Sequence, residues 1–279
     1  MTQVTKPMLA GKVKFDKIDV LAYPLLASPK YDGVRMLIYG NGEPKTRTGK
    51  RIANKSIHHL LANSGLKNVD GELMSPNLSF TDLSGLIRTI DQAKFNIGYF
   101  IFDWMGDPDM AFFGRADYLK KNIKPQRLSK NKANIWIYIV PHTEVRSPDE
   151  LLLFFEQQVE EGQEGIMLRS PFGAYKQGRS TLAQQYLLKL KPALSETATI
   201  TGYQKLINKI GDEVEELGAL LVRNEKWGSF KIGTGFNRDQ RINFWKSRRA
   251  IIGRKVKFTY AHVGNKNSPR FPSFKGIID

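Results

Sequence analysis

Apolar and polar positions along this chain fall into two textures. In the first two thirds, mainly apolar runs at "RMLIYG", "NIGYFIFDWM" (around residues 95–105) and "NIWIYIVP" predict strands. The clearest helix lies in "SPDELLLFFEQQVEEG". Ser147 can cap it, Pro148 suits the first helical position, and Glu150 completes a capping box. Leu151, Leu152, Phe155 and Val159 then share one face, and Gly162 ends the run. Shorter helices are predicted at "TDLSGLIRTI", "GRADYLKKNI" and "NRDQRINFWKSR". Strands and helices mix without regular alternation, which predicts an α+β architecture and not a doubly wound sheet.

After "LLKLKP" the texture changes. From about residue 195 come short strand-like pieces: "TATITGYQKL", "LGALLVRN", "GSFKIGTGF" and "KVKFTYAHV", separated by Gly-rich turns, with one helix-like segment. Such a series predicts a small β-barrel of the OB type. Two domains are therefore expected, residues 1–192 and 193–279, joined through "KPALSETA", where a hinge is expected.

The 279 residues, 41% of them apolar, can bury a sizeable core. Cysteine is absent from the sequence, which excludes disulfides, thiolate zinc sites and cysteine nucleophiles. No apolar run is long enough for a signal peptide or a membrane span. A cytoplasmic protein is expected, in the host cytoplasm if the chain is phage-encoded, with no membrane partner. Charge changes the picture more: 43 Lys+Arg against 27 Asp+Glu give a formal +16. These charges are spread through patterned sequence, so a folded, polyanion-binding surface is expected, and nucleic acid is the usual polyanion.

Among the candidate chemistry, "GNGEPKTRTGK" does not satisfy the phosphate-loop pattern. His58, His59, His142 and His262 are too dispersed to suggest a metal centre. The segment "KYDGVR" is more informative. A lysine amine attacks only when neutral, and its ordinary pKa is about 10.4, so a nucleophilic lysine needs neighbouring cations, a metal or burial. Asp32 would work the other way if it paired directly with Lys30. K-x-D-G alone is weak, since a chain of this length contains one by chance about one time in twenty. Further motifs follow it. "VDGEL" carries Glu72, "YFIFDWM" carries Phe102 before Asp103, and "EGIMLRS" is preceded by the long helix and opens on Glu164. "YKQGRSTLAQQYLLKLKP" carries Arg179, then Lys189 and Lys191, which alternate with leucines on one strand face. Singly, Glu72 and Glu164 read as turn carboxylates, Phe102 as core and the two lysines as the wet face of a strand.

Together the motifs resemble the covalent nucleotidyltransferases. Within them they are most similar to the compact two-domain ATP-dependent DNA ligases of phages, chloroviruses and some bacteria. "KYDGVR", "TRTGK", "DGEL", "FIFDW", "EGIML" and "LLKLKP" look like that family's motifs, in family order and spacing. "YKQGRS", "FKIGTGF" and "PRFPSFKGI" resemble further ligase signatures. The resemblance runs from about residue 7 to the C-terminus. It implies an adenylation domain of antiparallel sheets and helices followed by an OB domain. It also implies ATP and Mg²⁺ as cofactors, with Mn²⁺ as a substitute, and nicked double-stranded DNA as the partner of a monomer.

By the same resemblance, Lys30 attacks the α-phosphorus of ATP. Asp32 and Arg35 contact the ribose end and the phosphate side, Glu72 ribose or metal, and Phe102 stacks on adenine. Glu164 helps hold the metal, Lys189 and Lys191 face the α-phosphate, and Arg47 and Arg179 act at the nick. The ending "FKGIID" lacks the basic tail motif of larger ligases, so Arg270 and Lys275 stand as candidates for assisting pyrophosphate departure. Two alternatives stay open here. One is an RNA ligase or GTP-dependent capping enzyme, since K-x-D-G serves those too. The other is a non-catalytic, basic OB-type binding protein.

Overall fold

A computed structural model describes residues 4–75, 77–90, 94–192, 194–208, 211–260 and 268–278. The chain forms two compact units, and the α+β expectation holds. The first comprises residues 1–13, 17–152 and 166–190; the second comprises 14–16, 153–165 and 191–279.

The first unit is built on two larger sheets and a two-stranded parallel pair, Met8–Leu9 with Gly178–Arg179. A six-stranded sheet has the order Pro44–Thr46, Val34–Ile38, Val69–Met74, Phe95–Trp104, Ala133–Ile139, Gln126–Lys130. Its pairs are antiparallel except Phe95–Trp104 with Ala133–Ile139, which is parallel. The last two strands form a hairpin whose two turn residues, Asn131 and Lys132, both have positive φ, as a tight turn matched to strand twist requires. A five-stranded sheet has the order Thr143–Val145, Leu25–Pro29, Ile166–Arg169, Leu188–Leu190, Gly11–Lys12.

Five α-helices are described. They are α1 (Lys55–Ala62), α2 (Phe80–Arg88), α3 (Phe112–Asn122), α4 (Pro148–Glu160) and α5 (Arg238–Lys246). α1 was not among the predicted helices. It is stopped from fraying by Asn54, whose buried side chain accepts from the Ile57 N–H at 3.0 Å and donates to the Leu86 carbonyl at 3.1 Å. Ile57, Leu60 and Leu61 of α1 and Leu83, Leu86 and Ile87 of α2 share one core with Met36, Ile38, Tyr99, Ile101, Ile135 and Ile137 of the six-stranded sheet. In α4, Ser147 accepts from the Glu150 N–H at 3.2 Å as predicted. The Glu150 carboxylate, however, takes the Arg146 N–H at 2.9 Å, one residue before the cap. Leu151, Phe155 and Val159 are buried, Leu152 only partly, and Gly162 at φ +86° closes the helix.

The second unit carries a five-stranded antiparallel sheet of order Gly228–Ile232, Glu213–Asn224, Leu194–Ile207, Lys255–Tyr260, Ser273–Ile278. A bridge between Thr234 and Ser273 links its two edge regions, which gives the expected barrel. Register shifts in the long strand pair let the sheet curl, and Ile200, Leu220, Val222, Trp227, Ile232, Val256 and Phe258 fill it. The stretch read as a connection is shorter than expected, because the first strand starts at Leu194. The end of "KVKFTYAHV", with His262, lies outside the described residues.

Candidate active site

Lys30 directly follows the strand Leu25–Pro29. Its turn passes so close to the neighbouring strand that a Cβ at Gly33 would collide with the Leu73 carbonyl oxygen and lie 2.8 Å from Glu72 Cγ. Gly71 is equally constrained, since its Cβ would lie 2.6 Å from the Phe100 carbonyl oxygen. The glycine of "KYDG" therefore serves the close approach that brings the Lys30 turn toward Glu72, and the glycine of "DGEL" the close packing of that strand on Phe95–Trp104.

A cleft of about 1200 Å³ opens here, within the first unit. Lys30, Arg35, Glu72, Phe102, Lys189, Arg47 and Arg179 all line it, so seven of the sequence candidates meet in one place. Lys189 sits mid-strand, registered between Met167 and Lys12. The turn "TRTGK", closed by the Gly49 N–H to the Thr46 carbonyl at 2.8 Å, brings Arg47 and Lys50 to the cleft wall. Arg179 donates to the Ala10 carbonyl at 2.8 Å. Asp32 is exposed and is not among the lining residues. Glu164 and Lys191 belong to the second unit, where they form an ion pair with each other.

Arg35, which lines the cleft, is also held by a buried carboxylate. Its guanidinium forks onto buried Asp70, with Nε 2.8 Å from Oδ1 and Nη2 2.5 Å from Oδ2, and the Tyr175 hydroxyl donates to the same carboxylate at 2.5 Å. Burial pulls the Arg35 pKa down, but Asp70 outweighs it, and the net shift is upward. Beneath the cleft lies a second buried network. Asp103 is fully buried and accepts from Arg115 at 2.8 Å and from Arg169 at 2.6 Å. Burial alone would raise the Asp103 carboxyl, yet Arg169 and Arg115 prevail and hold it below its ordinary value. The Phe102 ring is flanked by both networks, with Arg35 at 5.2 Å and Arg169 at 5.6 Å from its centroid. Asp70, Asp103, Arg115, Arg169 and Tyr175 were missed as site residues in the sequence. Four of them sat inside the quoted motifs: Asp70 in "DGEL", Asp103 in "FIFDW", Arg169 in "EGIMLRS" and Tyr175 in "YKQGRS".

Glu72 has the opposite electrostatics. Burial pushes its carboxyl up to about 7, against the pull of Arg35 and Lys30. Because the folded value exceeds the ordinary 4.5, this group favours the folded state most at low pH, and that contribution fades as pH rises from 4.5 through 7. Glu72→Gln should remove this component of the pH dependence. Urea midpoints measured below 4.5 and above 7 check it; equal pH profiles for variant and parent would contradict the assignment.

Among the described residues no cluster of three or more His, Asp or Glu groups could hold a metal by itself. His142 is neutral, its pKa lowered to about 3 by burial and by Arg169. His58 pairs with Glu43, and His59 lies 3.1 Å from Lys130 Nζ. No described helix is long and apolar enough to cross a membrane.

Comparison with known proteins bears on the same residues. Residues 7–191 match a family model described as an ATP dependent DNA ligase domain, and residues 211–277 match a DNA ligase OB-like domain. The DNA ligase of Haemophilus influenzae is 28% identical over 249 residues, spanning 88% of this chain and 84% of that protein. The structure of Chlorella virus DNA ligase-adenylate superposes with a TM-score of 0.79 at 31% identity, covering 99% of this chain and all of the other. The ATP-dependent DNA ligase of bacteriophage T7 shares the fold at a TM-score of 0.62 and 20% identity, over 98% of this chain and 99% of its own. These matches decide against the capping-enzyme, RNA-ligase and non-catalytic readings. With more than half its length matched to the catalytic domain, and a cleft that gathers the motif residues, this chain belongs to the ATP-dependent DNA ligases.

Proposed function

We propose that Lys30 is the nucleophile of this ligase. Its Nζ attacks the α-phosphorus of ATP, a P–N bond forms, pyrophosphate leaves and the amine loses its proton. The AMP then passes to the 5′-phosphate at a nick, and the 3′-hydroxyl of the other strand attacks that phosphate, with AMP leaving and a phosphodiester sealed. The observation carrying this reading is that Lys30, Arg35, Glu72, Phe102 and Lys189, from four motifs spread along the sequence, line one cleft. A phosphoryl centre gathering negative charge is stabilised by fixed cations, and Lys189 is one in the same cleft.

Arg35 acts through a fixed orientation: its fork on Asp70, backed by Tyr175, aims it and keeps it charged. Arg47 and Arg179 hold phosphates at the break, where charge without base readout suffices. Asp32 is assigned to the ribose side and Lys191 to the α-phosphate. The donor set suits a hard divalent cation such as Mg²⁺, with Mn²⁺ as a substitute. Glu72 and Glu164 are assigned as its carboxylate donors, a number that Mg²⁺ commonly takes. When bound, the ion would neutralise phosphate charge. We further assign residues 1–192 to adenylation and 193–279 to the OB domain, acting as a monomer on nicked duplex DNA.

Label transfer from α-labelled ATP to the protein, followed by sealing of nicked DNA, tests the reading. Labelling by GTP alone would overturn it. Phe102→Ala should weaken ATP use about tenfold or more, the size expected for a lost aromatic–base stack, while nicked-DNA affinity stays near that of the parent. Equal losses in both would remove Phe102 from the adenine site.

A further inference from the structure

We propose that the solvent face of the six-stranded sheet, beside the Lys30 turn, is a stacking platform for unpaired bases of the DNA being joined. The inference rests on the ligase reading of the Lys30 cleft. In the strand Ala133–Ile139, alternation sends Ala133, Ile135 and Ile137 into the core and Trp136 and Tyr138 to the other face. There Trp136 is 38% and Tyr138 40% exposed. Tyr138 stacks on Phe100 at 4.9 Å and 21°, and Phe100 meets Tyr31 at 4.8 Å. Tyr31 follows Lys30 and lines the cleft, so this row of rings starts at the cleft and runs outward.

The outer end of the row is held rigidly and left charged. Trp136 lies opposite Gly98 in register, and the Phe100 ring covers that glycine, 2.5 Å from where its Cβ would stand. Its indole N–H donates to Asn96 Oδ1 at 2.9 Å. Arg127, on the neighbouring strand, places its guanidinium 5.5 Å from the Trp136 ring centroid. Two of its nitrogens, at 3.0 and 2.8 Å, donate to the Asn134 side-chain oxygen. A neutral amide orients this cation without cancelling it, and Arg127 has no carboxylate partner among the described residues. From Lys124 to Thr143, the stretch carrying both strands, the sequence holds four Lys or Arg and no Asp or Glu.

Large rings exposed on a sheet face favour association with something. Rings on adjacent strands of an open sheet face, with a cation alongside, suit stacked bases with their phosphates. The uncompensated charge and the continuity with the cleft favour a nucleic-acid strand over a protein. The occupant is an overhang or a frayed end next to the break.

The test uses the full chain, a single-stranded oligothymidylate, and nicked duplexes with and without a single-stranded tail at the nick. Trp136→Ala/Tyr138→Ala should bind the oligothymidylate about tenfold or more weakly and lose any preference for the tailed nick. Adenylation and sealing of the tailless nick should match the parent. Trp136→Phe/Tyr138→Phe should retain binding, which separates stacking from misfolding. Arg127→Gln should weaken binding and flatten its salt dependence. Parent-like oligothymidylate affinity in the alanine double variant would overturn the platform, including in favour of a protein occupant. Failure of the parent to adenylate or to seal a plain nick would instead overturn the ligase reading itself.

Discussion

Lys30→Ala should lose adenylation and sealing of ordinary nicks by on the order of 10⁴-fold or more, the scale seen when a covalent nucleophile is removed. No neighbouring group can substitute. Lys189 shares the cleft, but it sits mid-strand between Met167 and Lys12, fixed in register, and does not stand on the Lys30 turn. The loss should be selective. A nick supplied already carrying AMP on its 5′-phosphate bypasses the lysine, so the variant should still join it in the final step. Sealing assays on plain and pre-adenylated nicks check both halves, and a variant that seals plain nicks at the parental rate would remove Lys30 from the chemistry.

The second large effect falls on stability. Asp103→Ala leaves two guanidiniums, Arg115 with no exposed side-chain surface and Arg169 with 3%, facing each other without a counter-charge. Removing one partner of a buried ion pair costs about 3–5 kcal/mol, a large share of the 5–15 kcal/mol that ordinarily holds a domain together. Because the folded-state carboxyl is depressed, the stabilisation is present above the ordinary 3.8 and is lost only as pH falls through the lower folded value. Urea unfolding at neutral pH measures the loss, and a change under about 1 kcal/mol would mean that the pair is replaceable. Nucleotide use should suffer too, because Arg169 flanks the Phe102 ring.

Much of this was legible in the chain before the fold was known. Amphipathic α4 and the strands around Phe102 follow from apolar spacing, because each buries one face. The cleft-lining residues were legible as ordered short motifs. α1 was not, although its signals are local: Asn54 caps it and Ile57, Leu60 and Leu61 share one face, but the run of eight residues is short. The ion networks were hidden for another reason. Asp103 meets Arg169 across 66 positions, and Tyr175 meets Asp70 across 105, distances over which no local pattern carries information. Nothing in "KYDGVR" reveals that the Arg35 fork meets Asp70, 35 positions away. The exposed Trp136 and Tyr138 read in sequence only as the alternate positions of a strand.

Peptide mapping of the protein after incubation with ATP and a divalent cation, without DNA, addresses the central claim most directly. AMP should be found on Lys30 and on no other residue, and it should disappear when nicked DNA is added. AMP bound elsewhere, or none bound while sealing proceeds, would contradict the account.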